Sequence, residues 1–403
     1  MILKALKNLI YNVFTFFANL FIWRNKKVWI IGSWMGTKFA DNSRFLYDYL
    51  VANKEKYGLK RIVWITRSVK VVKEMRSLGF ADVVLAGTKD SLYWHLKAGV
   101  HVICNSVGTL YPGDIDTKYS FGAKKIQLWH GVGIKACNKL CRKDRHPIKY
   151  WIADHIVNYL YKPGFWERCY FLTTSQENSR VAVADFGVKR NRIIEAQYPR
   201  NIWNPKLTVR ESLFIEKLKE RKQNNSVVLY LPTFKKSVES FIQPDKLIGF
   251  DSFLSNKNVI WIQKKHSADR NIDLSSFGRE NVISLESDFD VNVLYQYIDL
   301  LISDYSSATT DAIAAGKMTL DYCPDFSDYE SKDRGFVNEY KKYHFGKTIT
   351  NPDDLFDEIE ARLHCSDCDR NEYQSVRIFL LGDKEWDMDS IVKKIMKSIK
   401  VRY

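Results

Sequence analysis

The sequence predicts an α/β protein with two parallel sheets, each covered by helices. Three observations carry this expectation. Short β-branched apolar runs recur along the chain, helical spacings separate them, and no tight hairpin turn joins neighbouring runs. The length agrees, because 403 residues exceed one ordinary core and suit two or three domains.

The elements follow in order. "KKVWIIGSW" reads as a first strand ending at Gly32, and "NSRFLYDYLVANK" as a helix with Asn42 or Ser43 as its cap. "KRIVWIT" is a second strand, "SVKVVKEMRSLG" a helix closed by Gly79, and "DVVLAG" a third strand. "TKDSLYWHLKAG", "VHVICNS" and "KKIQLW" continue the alternation. A linker is expected near "YPRNIWNPKL", after which the pattern restarts with "SVVLYLPT", "NVIWIQKKH", "NVISLES", "DLLISD" and "MTLDYC". These runs make two Rossmann-like halves of similar size, 26–200 and 201–380, with a cleft expected between them. A basic amphipathic helix, 381–403, is expected either to pack on the N-terminal half or to face a membrane.

Residues 1–25 form an amphipathic helix of their own. Lys4, Lys7, Asn8, Asn12, Thr15 and Asn19 share one arc of the wheel. Leu3, Leu6, Leu9, Ile10, Val13, Phe16, Phe17 and Leu20 occupy the other. The uncharged stretch from Asn8 to Trp23 falls short of the roughly 20 apolar residues a span needs. The pattern suits a helix lying in the inner leaflet with its cations at anionic headgroups; packing on the protein's own core is the alternative. No small-residue cleavage site follows, so a secretory signal is not expected.

Lys and Arg total 62 against 47 Asp and Glu, a net charge of +15. Such a surplus favours anionic partners: a membrane surface, phosphate-rich substrates or nucleic acid. Nucleic acid is not expected, because the chain has no basic repeat, zinc-finger spacing or aromatic RNA-binding motif. The seven cysteines are read as free thiols in a reducing compartment. Cys137 with Cys141 and Cys365 with Cys368 have spacings a zinc site uses, but they lie far apart in the chain and are read as unpaired.

Two clusters carry chemistry. In "IQLWHGVGIK", His130 follows a strand directly, where ligands of open α/β sheets bind. Gly131 and Gly133 allow a tight turn, and Lys135 adds a cation; both Gly131 and Lys135 are assigned to the acceptor side with the N-terminal half. In "LLISDYSSATTDAIAAGK", a strand ends at Ser303, Asp304 to Ser307 form a turn, and a helix runs from about Ala308 to Ala315. Hydroxyls and backbone N–H groups at such a turn suit a phosphate or pyrophosphate, although Ser306 or Ser307 serving only as a cap is the plainer reading. Asp311, one turn in, is a candidate for holding a ribose or orienting the loop. Thr233, Lys235, Lys264, Lys265 and His266 follow two further strands, and Arg334 offers a bidentate partner for phosphate. No Walker loop, HExxH or dinucleotide GxGxxG is present, and no carboxylate pair marks a bound metal. No cofactor is therefore expected beyond the substrate.

Together, "DNSRFLYDYL", "QLWHGVGIK", "YPRN", "LPTF", "KKH", "ISDYSSATTDA" and "DYESKDRGF" resemble, in order, the CDP-glycerol glycerophosphotransferase family of teichoic-acid and capsule-polymer primases and polymerases. The "WHG" and "SDYSS" pair is the specific part. The resemblance implies a GT-B-like enzyme at the inner face of the membrane, which moves glycerol phosphate from CDP-glycerol to a lipid-linked or polyol-phosphate acceptor and releases CMP. It implies that His130 is the catalytic base, that His266 is the second family histidine, and that the "DYSS" loop binds the CDP pyrophosphate. Ser267 stands where the family usually has proline, and Lys235 where arginine often follows, which leaves CDP-ribitol or another CDP-alditol open as donor. A glycosyltransferase using a nucleotide sugar on the same frame, or a non-catalytic basic module on a membrane, are the competing readings.

Overall fold

The structure is a computed structural model. It describes residues 2–108, 112–137, 139–140, 169–233, 242, 249–264, 281–332, 335–365 and 370–401, without the side chains of residues 2–8, 330–332 and 370. The chain divides into two compact units. The first contains Met1–His130, Asn138–Thr208 and Lys384–Tyr403; the second contains Gly131–Cys137 and Val209–Asp383.

The first unit opens with α1 (Ile2–Phe21) and continues through β1 (Asn25–Ile31), α2 (Asp41–Ala52), β2 (Arg61–Thr66), α3 (Val69–Ser77), β3 (Val83–Leu85), α4 (Lys89–Lys97), β4 (Ala98–Ile103), β5 (Lys124–Gln127), β6 (Tyr170–Thr173), α5 (Gln176–Phe186) and β7 (Ile193–Glu195). Its sheet is parallel, in the order β3-β2-β1-β4-β5-β6-β7. Ile31 pairs with Trp64 on one side and Val102 on the other. Val28 and Ile30 enter one core cluster with Val63 and Ile65, while the alternate residues Trp29 and Ile31 are also fully buried. Burial on both faces is why these strands read as continuous apolar runs.

The second unit comprises α6 (Val209–Lys222), β8 (Ser226–Tyr230), α7 (Phe250–Asn256), β9 (Val259–Gln263), β10 (Val282–Ser284), β11 (Leu300–Ser303), α8 (Ala308–Ala314), β12 (Met318–Tyr322), α9 (Phe326–Lys332), β13 (Thr348–Ile349), α10 (Leu355–His364) and α11 (Arg370–Leu381). Its parallel sheet runs β10-β9-β8-β11-β12-β13. Val228, Tyr230, Trp261 and Ile302 pack on one face, and Val227, Leu229, Ile260 and Leu301 on the other.

The last helix, α12 (Met388–Ser398), returns to the first unit. Ile391, Val392, Ile395 and Met396 are fully buried there. Asp389 fixes the helix by accepting from Tyr57 Oη at 2.6 Å and pairing with Lys56 at 2.8 Å. Of the two expectations for this basic helix, packing on the N-terminal half holds.

α1 is oriented the other way. Thr15 is fully buried and donates to the Tyr11 carbonyl. Asn19 donates to the Phe121 carbonyl, and the Oδ1 atoms of Asn12 and Asn19 are buried. The Tyr11 ring meets Tyr119 edge-on at 5.6 Å. Thus Asn12, Thr15 and Asn19 of the polar arc face the protein, while Ile10, Val13, Phe17, Leu20 and Phe21 face outward, Phe21 at 87% exposure. Arg24 holds the seat by donating to the carbonyls of His95, Ala98, Tyr119 and Phe121 at 2.7–3.0 Å. Burial lowers its pKa to about 10. Among the described residues no helix is long and apolar enough to cross a membrane.

Two local expectations are corrected. α2 begins at Asp41 after Ala40, so neither Asn42 nor Ser43 caps it; the Asn42 side chain is engaged elsewhere, as described below. Cys104, Cys137, Cys169 and Cys323 are free thiols, but Cys365 is disulfide-bonded. Compartment arguments from total cysteine number miss such local pairing.

Candidate active site

Strand order locates the chemistry within each unit. In the first sheet the winding reverses between β1 and β4; in the second it reverses between β8 and β11. Ligands of doubly wound sheets bind beyond the carboxyl ends of strands at such reversals. The loops leaving these strands carry the candidate residues of both units.

His130 lies beside the first reversal. Its Nδ1 is 3.2 Å from the Cys104 carbonyl, which follows β4. A carbonyl only accepts, so this contact is a hydrogen bond when Nδ1 carries the proton; the Asn105 amide nitrogen lies 3.5 Å from the same ring atom. The ring lies against Trp129, with centroids 4.1 Å apart, and near Trp34 at 5.9 Å. The backbone is held from both sides. Asn42 Nδ2 donates to the Trp129 carbonyl at 2.9 Å, and Arg200 donates to the His130 carbonyl at 3.2 Å. Arg200 in turn forms a buried ion pair with Asp41, which also accepts from Trp34 Nε1 at 3.1 Å.

Asp114 organises the same loops. Its buried carboxylate accepts from the backbone N–H groups of Met35, Cys104, Asn105 and Ser106 at 2.7–3.0 Å. Burial pushes its pKa up to about 6, while those donors act in the opposite direction. Gly32 permits this closure, because a Cβ there would lie 2.4 Å from the Asp114 carbonyl oxygen. Trp34, Met35, Asp41 and Trp129 all have positive φ, between 42° and 64°. Left-handed backbone at non-glycine residues costs energy and persists where its surroundings over-determine it. The turn before His130 is therefore made by Trp129; a Cβ on Gly133 would meet nothing closer than 3.9 Å, so space does not require glycine there.

At the second reversal, Thr233 follows β8 and Asp304 follows β11. Asp304 is buried, and both its carboxylate oxygens accept from the Thr233 N–H, at 2.9 and 3.1 Å. Tyr340 Oη donates to the Asp304 carbonyl at 3.3 Å. The Ser306 hydroxyl accepts from the Ala308 N–H at 3.2 Å, whereas Ser307 at the N-cap position makes no side-chain cap bond. Ser306 and Ser307 are half-buried, and Asp311 is buried inside α8. Lys135 Nζ lies 3.4 Å from Thr233 Oγ1.

With this geometry in view, similarity to known proteins decides the family. Residues 13–383 match the family described as CDP-Glycerol:Poly(glycerophosphate) glycerophosphotransferase. The chain belongs to this family. It is thus an enzyme of the CDP-glycerol glycerophosphotransferase type, similar to teichoic-acid polymerases and primases. A teichoic acid poly(glycerol phosphate) polymerase of Bacillus spizizenii is 26% identical over 331 residues, 79% of each chain. A teichoic acid glycerol-phosphate transferase of Staphylococcus aureus is 25% identical over 408 residues, 94% of each chain. The solved wall teichoic acid polymerase TagF superposes with a TM-score of 0.69 at 21% identity, covering 99% of this chain and 96% of that one. The UDP complex of Staphylococcus aureus MnaA shares the fold alone, with a TM-score of 0.52 at 9% identity over 94% and 98% of the chains. The fold is α/β and GT-B-like.

Within this glycerophosphotransferase, the expected site residues distribute unevenly. Thr233, Asp304, Ser306, Ser307 and Lys135 belong to the second unit, and His130 to the first. Lys235, Lys265, His266 and Arg334 lie outside the described residues. The assignment of Gly131 and Lys135 to the N-terminal half is corrected: Gly131–Cys137 belongs to the second unit, because the chain crosses over directly after His130. Asp41, Asn42, Asp114 and Arg200, which brace the loops around His130, are not among the candidate residues the sequence singles out. "DNSRF" and "YPRN" were recognised as landmarks, but long-range hydrogen bonds give those residues their work.

Proposed function

We propose that the protein transfers glycerol phosphate from CDP-glycerol to a hydroxyl of a lipid-linked or polymeric acceptor, releasing CMP, in assembly of a teichoic-acid-like or capsule polymer. The acceptor oxygen attacks the β-phosphorus while its proton passes to Nε2 of His130. The bond from the β-phosphorus to the bridging oxygen breaks, and CMP leaves with that electron pair. Ser306 and Ser307, with Lys235, His266 and Arg334, stabilise negative charge on the transferring and leaving phosphates. The observation that carries this reading is the place of His130 beside the first strand-order reversal, with Nδ1 next to the Cys104 carbonyl and its backbone clamped by Asn42 and Arg200.

The outward apolar stripe of α1 supports an acceptor met at the cytoplasmic face of the membrane. Thr15 and Asn19 of its polar arc are turned to the protein, so Ile10, Phe17 and Phe21 are presented to the acyl boundary, with Trp23 beside them at 77% exposure. Serine at Ile10, Phe17 and Phe21 is expected to release the protein from anionic liposomes while CMP formation on a soluble acceptor continues. Undiminished liposome binding would contradict the anchor.

A CDP-ribitol donor is the second reading. It is favoured by similarity to a poly(ribitol-phosphate) polymerase of Bacillus spizizenii, 25% identical over 345 residues. CMP release measured with CDP-glycerol, CDP-ribitol and UDP-sugars on candidate acceptors distinguishes these. Activity with CDP-glycerol alone supports the first reading. UDP-sugar turnover without CMP release would overturn both.

A further inference from the structure

We propose that Lys135 binds the diphosphate of the nucleotide donor, which makes the segment after His130 part of the donor site. The inference rests on the donor reading above and adds a residue to it. Ile134–Ala136 pairs antiparallel with Gly335–Val337. Lys135 bridges Phe336, Ala136 N–H donates to the Gly335 carbonyl at 3.2 Å, and Val337 N–H donates to the Ile134 carbonyl at 2.9 Å. Ile134 and Ala136 are buried, which anchors the short strand, while the half-buried Lys135 between them alternates to the opposite side.

That side leads to the second reversal. Lys135 Nζ lies 3.4 Å from Thr233 Oγ1, and Asp304 fixes the Thr233 N–H. Asp304 begins the turn that carries Ser306 and Ser307. The ammonium therefore stands beside the hydroxyl of the loop leaving β8, which Asp304 ties to the loop leaving β11, where a doubly wound sheet receives its ligand. The Asp304 carboxylate accepts from the Thr233 N–H and so positions the residue whose hydroxyl Lys135 meets. The Lys135 tether to the Gly335–Val337 strand is made by main-chain bonds, so changing the side chain leaves that pairing in place.

The test measures binding of CDP-glycerol, CDP and cytidine by calorimetry to wild type, Lys135→Ala, Lys135→Arg and His130→Ala. A hydrogen bond to a charged group contributes about 1.5–3 kcal/mol, so Lys135→Ala should weaken CDP-glycerol and CDP by about 10- to 100-fold. Cytidine affinity should stay unchanged, Lys135→Arg should recover part of the loss, and His130→Ala should bind CDP-glycerol like wild type. Equal affinity of Lys135→Ala and wild type for CDP-glycerol would overturn the inference. So would equal losses for CDP and cytidine, which would mark a structural role. Failure of wild type to bind either CDP compound would instead overturn the donor reading itself.

Discussion

The carboxyl ends of the two sheets carry different kinds of polar chemistry on the same topology. Beyond the first, Trp34, Met35, Asp41 and Trp129 take left-handed backbone, and Asp114, Asn42 and Arg200 lock the loops that hold one imidazole. Beyond the second, hydroxyls and a lysine gather around a backbone fixed by Asp304, without comparable strain in the described loops. A proton-transfer group must be held in one orientation and one tautomer, so rigidity matters more than number. An anion is bound by several donors that share its charge, so number matters more than rigidity. On the proposed reading, the difference assigns proton chemistry to the first unit and phosphate binding to the second.

Breaking the first region should have the larger effect. Asp41→Ala leaves the buried Arg200 without its carboxylate, and losing one partner of a buried ion pair costs about 3–5 kcal/mol. Denaturant unfolding should show that loss, and CMP release should fall with it because Arg200 also holds the His130 carbonyl. An unchanged midpoint would mean that the pair does not support the loop.

The amino end of the same sheet offers an internal contrast. His95 is fully buried, its Nδ1 donating to the Ser91 carbonyl and its Nε2 accepting from the Asp116 N–H. Burial lowers its pKa to about 4. A depressed folded-state value means the contribution is present above about 6.5 and lost as pH falls towards 4. Between pH 7 and 5, wild type should lose about 2 kcal/mol more stability than His95→Gln. Parallel losses in the two proteins would show that His95 does not stay neutral in the fold.

The smallest effects belong to the second region. A neutral hydrogen bond contributes about 0.5–1.5 kcal/mol, so Ser306→Ala and Ser307→Ala should each raise KM for the donor about 2- to 10-fold. A loss confined to kcat would assign these hydroxyls to the transition state.

The strands "VWII", "IVWI" and "VVLY" were legible because burial on both sheet faces leaves an unbroken apolar run. β6 (Tyr170–Thr173), β7 (Ile193–Glu195) and β13 (Thr348–Ile349) were not, since two to four residues carry no usable period. His130 was legible from its place after a strand. Asp114 was not, because its four backbone partners come together only in the fold. Asn42 read as a cap, yet its amide holds the Trp129 carbonyl 87 residues away. Lys135 misled for the opposite reason: it is near His130 in sequence, but the chain has already entered the other unit.

The central claim is that His130 accepts the proton of the attacking hydroxyl. CMP release by His130→Ala, measured with CDP-glycerol and acceptor alongside donor affinity, tests it most directly. The account predicts a fall of about 10²- to 10⁴-fold with CDP-glycerol affinity unchanged. Near wild-type CMP release from the folded variant would contradict it.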